Sequence, residues 1–390
     1  MLCNNCGQEI GNSRNEKFCK FCGALVSDAG SEEKQKKKSE FNDEETNAML
    51  ERLGINASDF SEKNFVRVRE LANDFYEGEK REKNDKYVIL LEHWAAQNGY
   101  VRSQRAMGNI YFNGLCGIEE DDFEAKKWFL EAAKGGDKQS KFQLGEIEYF
   151  GVLGEKDYYK AFEYYQEAAD EILGAKVRLG DCFSKGRGVE KDFEQSYFWY
   201  QKAAEEGDRY AQYELARQYW NGLGVPINTR KAFEWTLKSA TNGDADAQFL
   251  IARCYHTGDE IEQNYKEAYY WYKAAMNQGH LEAQTIMGDF LLHGRGCERN
   301  RPEGFNLIKD AVDKGYKGAI GDLAQCYAQG WGIEPNVRIA EGLFLEDIEN
   351  GNEDSLVELA QCYLWWSRSN STEQEFKKNV NQGFELLKDF

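Results

Sequence analysis

The chain has 390 residues, of which 68 are acidic and 49 basic, giving a formal charge of −19 and a pI near 4.9. Such an acidic body repels phosphate, which argues against broad nucleic-acid or anionic-membrane binding. No apolar run reaches the roughly 18 residues a membrane-crossing helix needs, and Cys3 leaves no room for a signal peptide before it. The expectation is a soluble cytoplasmic protein.

Residues 1–25 read as a separate unit. Cys3, Cys6, Cys19 and Cys22 give C-x2-C-x12-C-x2-C, with Gly7 and Gly23 following the pairs so that the backbone can turn its amides toward the sulfurs. Two such knuckles supply the four thiolates of a tetrahedral, closed and therefore structural Zn2+ site. Two disulfides or four free thiols are the alternatives; a cytosolic chain rarely keeps disulfides, and this segment is too short to fold on an apolar core. Zinc binding, about 10–16 kcal/mol in small zinc modules, would then be its folding energy. The pattern resembles the short zinc ribbon found at the N-terminus of many bacterial proteins. Arg14, Lys17 and Lys20 against Glu9 and Glu16 make no basic patch for nucleic acid.

Residues 26–63 change character. Ser31 to Glu40 reads SEEKQKKKSE, charged and without apolar anchors, as a flexible linker does. Asp43 to Leu53 has helical spacing through Met49, Leu50 and Leu53, which predicts a helix capping the remainder of the chain.

From residue 64 to 390 the chain repeats itself. The stretch Ala211 to Gly243 places Ala211, Leu215, Ala216 and Tyr219 on one face of a first helix. Gly222, Gly224 and Pro226 stop that helix. Asn228 is placed to cap a second helix whose inner face carries Ala232, Trp235, Ser239 and Ala240, and Gly243 ends it. The pattern returns at steps of 35 to 37 residues, with starts at Ser103, Ser140, Ala175, Ala247, Ala283, Ala319 and Ser355, and a weaker copy near Arg67. Its cap column is Asp121, Asp157, Asp192, Asn228, Asn264, Asn300 and Asn336; its bulky column is Trp128, Tyr164, Trp199, Trp235, Trp271, Leu307 and Leu343. Short helix pairs cannot bury their apolar faces alone, so each needs neighbours. The fold class is all-α, an α/α superhelical solenoid of about nine helix-pair repeats behind the small zinc ribbon. The last copy stops at Phe390 within its second helix.

These residues resemble the Sel-1-like repeats, relatives of tetratricopeptide repeats, through A-x-x-x-L-G/A-x-x-Y-x-x-G-x-G-V followed by D/N-x-x-K-A-x-x-W-x-x-x-A-A-x-x-G. The resemblance implies an adaptor or scaffold that binds other proteins rather than an enzyme. In tetratricopeptide-type solenoids the first helices line a concave groove. The corresponding exposed positions bring Tyr213, Arg217 and Trp220 beside Phe249, Arg253 and His256, an aromatic and arginine cluster suited to a protein or peptide partner that is acidic or has a free carboxylate. The alternative is that the aromatics pack between repeats and both arginines pair with nearby carboxylates.

Other features read as structural. Cys182, Cys254, Cys326 and Cys362 share a column that elsewhere accepts Ile or Phe, so they are packing residues; Cys116 and Cys297 fall in glycine loops as free thiols. The G-x-G pairs at Gly186 and Gly188, Gly222 and Gly224, Gly294 and Gly296, and Gly330 and Gly332 follow helices and recur with the period, which marks turns rather than a dinucleotide fingerprint. His93, His256, His280 and His293 fall at different repeat positions, and no catalytic motif stands out. Less favoured readings are an enzyme or enzyme-regulating subunit, and an adaptor whose ribbon reaches nucleic acid.

Overall fold

The structure, a computed structural model, describes residues 43–258 and 261–366. Cys3, Cys6, Cys19 and Cys22, the linker before residue 43 and the end of the expected ninth repeat lie outside the described residues. Among those described there are eighteen α-helices, one 3-10 turn and no strand. The chain divides between Asp157 and Tyr158 into two compact units, each taken by itself.

The first unit contains α1 (Asp43–Arg52), α2 (Glu62–Glu77), α3 (Asp85–Gln97), α4 (Val101–Asn113), α5 (Asp122–Lys134) and α6 (Lys138–Phe150). The helix expected from Met49 and Leu50 is α1, and both residues are buried in a core shared with Phe65, Leu71, Phe75 and Trp94. The second unit contains α7 (Tyr158–Ala168), α8 (Leu173–Lys185), α9 (Phe193–Glu205), α10 (Arg209–Asn221), α11 (Thr229–Thr241) and α12 (Ala245–Thr257). It continues with α13 (Tyr265–Asn277), α14 (Leu281–His293), α15 (Arg301–Asp313), α16 (Ile320–Gln329), α17 (Val337–Glu349) and α18 (Asp354–Trp366). In both units the main packing joins helices that are neighbours in the chain, as a quasi-one-dimensional repeat requires.

The pair α10 and α11 shows why these residues form these elements. Ala211, Leu215 and Ala216 are fully buried and Tyr219 nearly so. The Asn228 side chain accepts from the Lys231 amide, and Gly222 takes a left-handed conformation in which its own amide donates to the Gln218 carbonyl. Both ends of the turn thereby satisfy backbone groups that a helix leaves orphaned. The same N-cap bond forms at Asp121, Asp192, Asn264, Asn300 and Asn336. A second cap series precedes the first helices: Asp137, Asp208, Asp244 and His280 each accept from the amide three residues on.

The bulky column packs against the neighbouring cores, as Trp128, Trp235 and Trp271 do, but does not seal them. Trp128, Trp199, Trp235 and Trp271 are only half-buried. The sealed position is the next residue: Phe129, Tyr165, Tyr272, Ile308 and Phe344 are 0 % exposed and Tyr200 and Thr236 1 %. One step along a helix turns the side chain by about 100°, so only one of two adjacent columns can point at the seam. Glycine in the facing first helix makes room there, since a Cβ on Gly180 would stand 2.6 Å from the Tyr200 ring.

A glutamine clasp also ties the repeats together. Gln104, Gln212 and Gln248 each donate from Nε2 to the carbonyl of Ala96, Ala204 and Ala240, near the end of the preceding second helix. Gln212 and Gln248 then accept, through Oε1, from Asn242 and Gln278 of their own repeats.

Candidate functional site

Cys182, Cys326 and Cys362 are buried, as packing residues are, and Cys254 is half-buried. Burial pushes the Cys182 and Cys326 thiols up to about 12, so they are inert as nucleophiles. Among the described residues no group of three His, Cys, Asp or Glu side chains is arranged to hold a metal ion.

The residues of the expected aromatic and arginine cluster have separate settings. Arg217 is exposed but its guanidinium holds both oxygens of Glu214 at 3.0 Å. It also lies over the Tyr213 ring, 5.9 Å from the centroid. Trp220 is half-buried against the core of Tyr219 and Leu215. Phe249 is buried, stacked on His280 at 4.4 Å. The His256 ring sits 4.9 Å from Phe290 with its Nδ1 3.3 Å from the Tyr272 hydroxyl. Burial and the nearby Arg295 lower its pKa. Arg253 alone is both exposed and without an ion pair among the described residues.

Glu214, which holds Arg217, also feels the charge of Asp181, the centre of a separate buried network. Asp181 is 1 % exposed and accepts from the Tyr200 hydroxyl at 3.0 Å, the Tyr210 hydroxyl at 3.1 Å and Lys185 Nζ at 2.8 Å. All three bonds fall on Oδ1, and Arg178 Nη1 lies 3.5 Å from Oδ2, so this carboxylate fastens α8, α9 and α10 together. Burial, with the Asp181 charge beside them, holds both tyrosines well above their usual range.

The concave feature with convergent polar groups lies further along the second unit. A cavity of about 200 Å³ is lined by Asp289, Leu292, His293, Ile308, Asp322, Gln325, Trp331 and Glu358. Three successive first helices, α14, α16 and α18, supply its carboxylates. Leu292 and Ile308 are buried apolar residues beneath it. Trp331, held in the turn after α16, meets His293 edge to face at 5.0 Å. Asp289 lies 2.9 Å from His293 Nδ1 and is paired with Arg295 Nη1 at 2.7 Å. Asp322 forms no ion pair among the described residues. Although its side chain is open to solvent, the surrounding protein and then Asp289, Glu358 and Asp347 push its carboxyl up to about 7. Burial raises Glu358 as well, partly offset by its hydrogen bond with Gln325. Sequence alone does not single out this place: Asp289, Leu292 and Gln325 fall at groove positions of the pattern, but Asp322 and Glu358 sit three residues into it, off those positions, and an acid recurring 36 residues apart is the available signal. A second hollow of about 400 Å³ lies between Phe233, Tyr255 and the turn Ile261 to Asn264. It adjoins residues outside the described set.

A cavity with an aromatic wall, an apolar floor and unbalanced carboxylates can accept a cation with an apolar stem. That chemistry is recognition: nothing among its lining residues is placed as an activated nucleophile.

Comparison with known proteins agrees with the repeat architecture. Residues 101–137, 139–171, 174–208, 209–244, 245–280, 281–316 and 319–346 each match the family profile described as Sel1 repeat. The fold is similar to the protective antigen c5321 of uropathogenic Escherichia coli, described as displaying an SLR fold, with TM-score 0.72 and 25% identity over 88% of this chain and 72% of that one. It is also similar to a Sel1 repeat protein from Oxalobacter formigenes, with TM-score 0.58 and 25% identity over 80% of this chain and 90% of that one. No helix among the described residues is long and apolar enough to cross a membrane.

Proposed function

The chain belongs to the Sel1 repeat family, and from that premise we propose that it is a protein-binding scaffold whose first helices in the second unit engage a partner segment carrying a basic residue. Solenoids of this kind are typical of protein–protein interaction scaffolds. The observation that carries the reading is the cavity with Asp322, Glu358 and Trp331. A lysine or arginine stem lies along Trp331 while its charge meets Asp322 and Glu358. Arg253 supports a second contact, since it remains available for an acidic residue or free carboxylate of the same partner. Arg217 contributes less, because it is already clamped on Glu214.

The zinc ribbon of Cys3, Cys6, Cys19 and Cys22 and a cytoplasmic setting belong to the same proposal and rest on sequence. There the metal would be structural, with four thiolates and no open position.

The test is fluorescence anisotropy of a labelled single-arginine peptide, with its glutamine counterpart as control, on the full chain and on an Asp322→Asn, Glu358→Gln variant. The expected result is binding of the arginine peptide that weakens about tenfold or more in the variant. Equal binding of both peptides, or no effect of the variant, overturns the cavity reading.

A further inference from the structure

Glu92 departs from the repeat in a way that concerns the first unit alone. Aligning Ala95 and Ala96 with Ala132 and Ala133 puts Glu92 in the sealed column, where other repeats place Phe129, Tyr165, Tyr200, Thr236, Tyr272, Ile308 and Phe344. It is nearly as buried as they are, at 4 % exposed. Its Oε2 has no hydrogen-bond partner, and two further buried polar atoms share that condition, Arg69 Nη1 on α2 and Ser103 Oγ on α4. A carboxyl in the deepest layer of a helical repeat is costly when ionised and far less so when neutral.

We propose that Glu92, with Arg69 and Ser103, is a proton-sensitive joint between the first helix pair and the next, closed when Glu92 is neutral and loosened when it ionises. The three residues come from three helices, so the joint lies where α3 packs on both α2 and α4. Burial raises the Glu92 carboxyl above its ordinary 4.5, while the Ser103 hydroxyl, near enough to turn toward the carboxylate although it makes no bond of good geometry, and the Arg69 charge favour the ionised form and act against that rise. Lys83, Asp85 and the Cys116 thiol are further titratable groups in its neighbourhood. The Cys116 thiol, in the turn after α4, is pushed up by burial and by the charges of Asp85 and Glu92. Helix α1 offers the apolar Met49 and Leu50, and its Glu45 is paired with Lys86.

The sign follows from the raised pKa. A group protonated more readily in the folded state than in the unfolded one contributes stability that is present at low pH and lost as pH rises through its folded-state value. Closure of the joint therefore weakens as pH rises through the folded-state value of Glu92, the reverse of an ordinary paired carboxylate.

The experiment is amide hydrogen exchange of the full chain from about pH 5 to about pH 8, corrected for the intrinsic pH dependence of exchange. It compares wild type with Glu92→Gln, Ser103→Ala and Arg69→Met. The expected result is that protection of residues 62–113 falls with rising pH in wild type and stays high in Glu92→Gln, with residues 158–258 as internal reference. In Ser103→Ala and Arg69→Met the midpoint moves to higher pH, because each removes a group that favours the ionised form. A purely structural role would change protection without moving a midpoint. Flat protection in wild type, or the same pH response in Glu92→Gln, overturns the proposal.

Discussion

Gly224 of one repeat lies against the carbonyl oxygen of Phe193 in the repeat before, so closely that a Cβ on it would stand 2.0 Å from that oxygen. The contact recurs with the period. Gly188 meets Tyr158, Gly296 meets Tyr265 and Gly332 meets Arg301 in the same way, with 2.0 to 2.2 Å to the carbonyl oxygen. The second glycine of each G-x-G is thus more than a turn residue: it lets one repeat's loop rest on the first turn of the preceding second helix.

Gly224→Ala is therefore expected to destabilise the second unit by more than about 2 kcal/mol, since backbone must move. Gly279→Ala serves as the control. Gly279 is also left-handed, at φ 88°, but nothing lies within 4 Å of its added Cβ, so it should cost only the αL penalty of about 1–2 kcal/mol. Urea unfolding of both variants decides; equal losses would show that the inter-repeat contact adds nothing.

The cap column predicts a local effect. Asn228→Ala removes the acceptor for the Lys231 amide and should cost about 1 kcal/mol, whereas Asn228→Asp should cost little because aspartate caps equally well. Thermal unfolding of the pair checks this, and similar losses in both would refute the cap as the cause.

Asp322 gives a pH prediction for the cavity. Its folded-state carboxyl, at about 7 against an ordinary 3.8, contributes stability that is complete below the ordinary value and lost as pH rises through about 7. Wild type should therefore lose stability relative to Asp322→Asn across that window. Affinity for an arginine peptide should rise over the same window, because only the ionised carboxyl attracts the cation. Affinity that is flat or falls with pH contradicts the cavity assignment.

Replacing Glu92 by leucine tests the cost of its burial. The column accepts Ile308 and Phe344 fully buried, so Glu92→Leu should stabilise the first unit by about 1–3 kcal/mol at neutral pH. Calorimetry at neutral and acid pH separates the cases: a gain that shrinks at acid pH marks the removed carboxyl, and a loss at both marks poor packing.

Metal analysis tests the N-terminal cysteines. About one zinc per chain is expected, bound by Cys3, Cys6, Cys19 and Cys22 and removed by a strong chelator. Far-ultraviolet dichroism should barely change on removal, because the eighteen helices of the described residues begin after the segment that carries those thiols. A chain without zinc, or one that loses its helices with the metal, speaks against a separate structural ribbon.

The sequence by itself determined the period, the helix pairs and their ends. Those depend on neighbours in the chain: Leu215 and Tyr219 share a face because four residues make about one turn, Asn228 caps the amide three residues on, and Gly222 closes its own helix. The small columns at Ala211 and Ala232 were equally legible, since both are fully buried as their spacing required.

Only the tertiary structure decided which of two adjacent columns seals the seam, and which charges remain free. Trp235 and Thr236 are one residue apart, yet the larger side chain stays half in solvent and the smaller is buried. Arg217 and Arg253 occupy the same repeat position, yet one is held by Glu214 and the other is not. Asp289, Asp322 and Glu358 meet around a cavity although they are 33 and 36 residues apart in the chain. Such pairings depend on how one repeat sits on the next, and a pattern read within one repeat carries the helix faces but not the side chains across the seam.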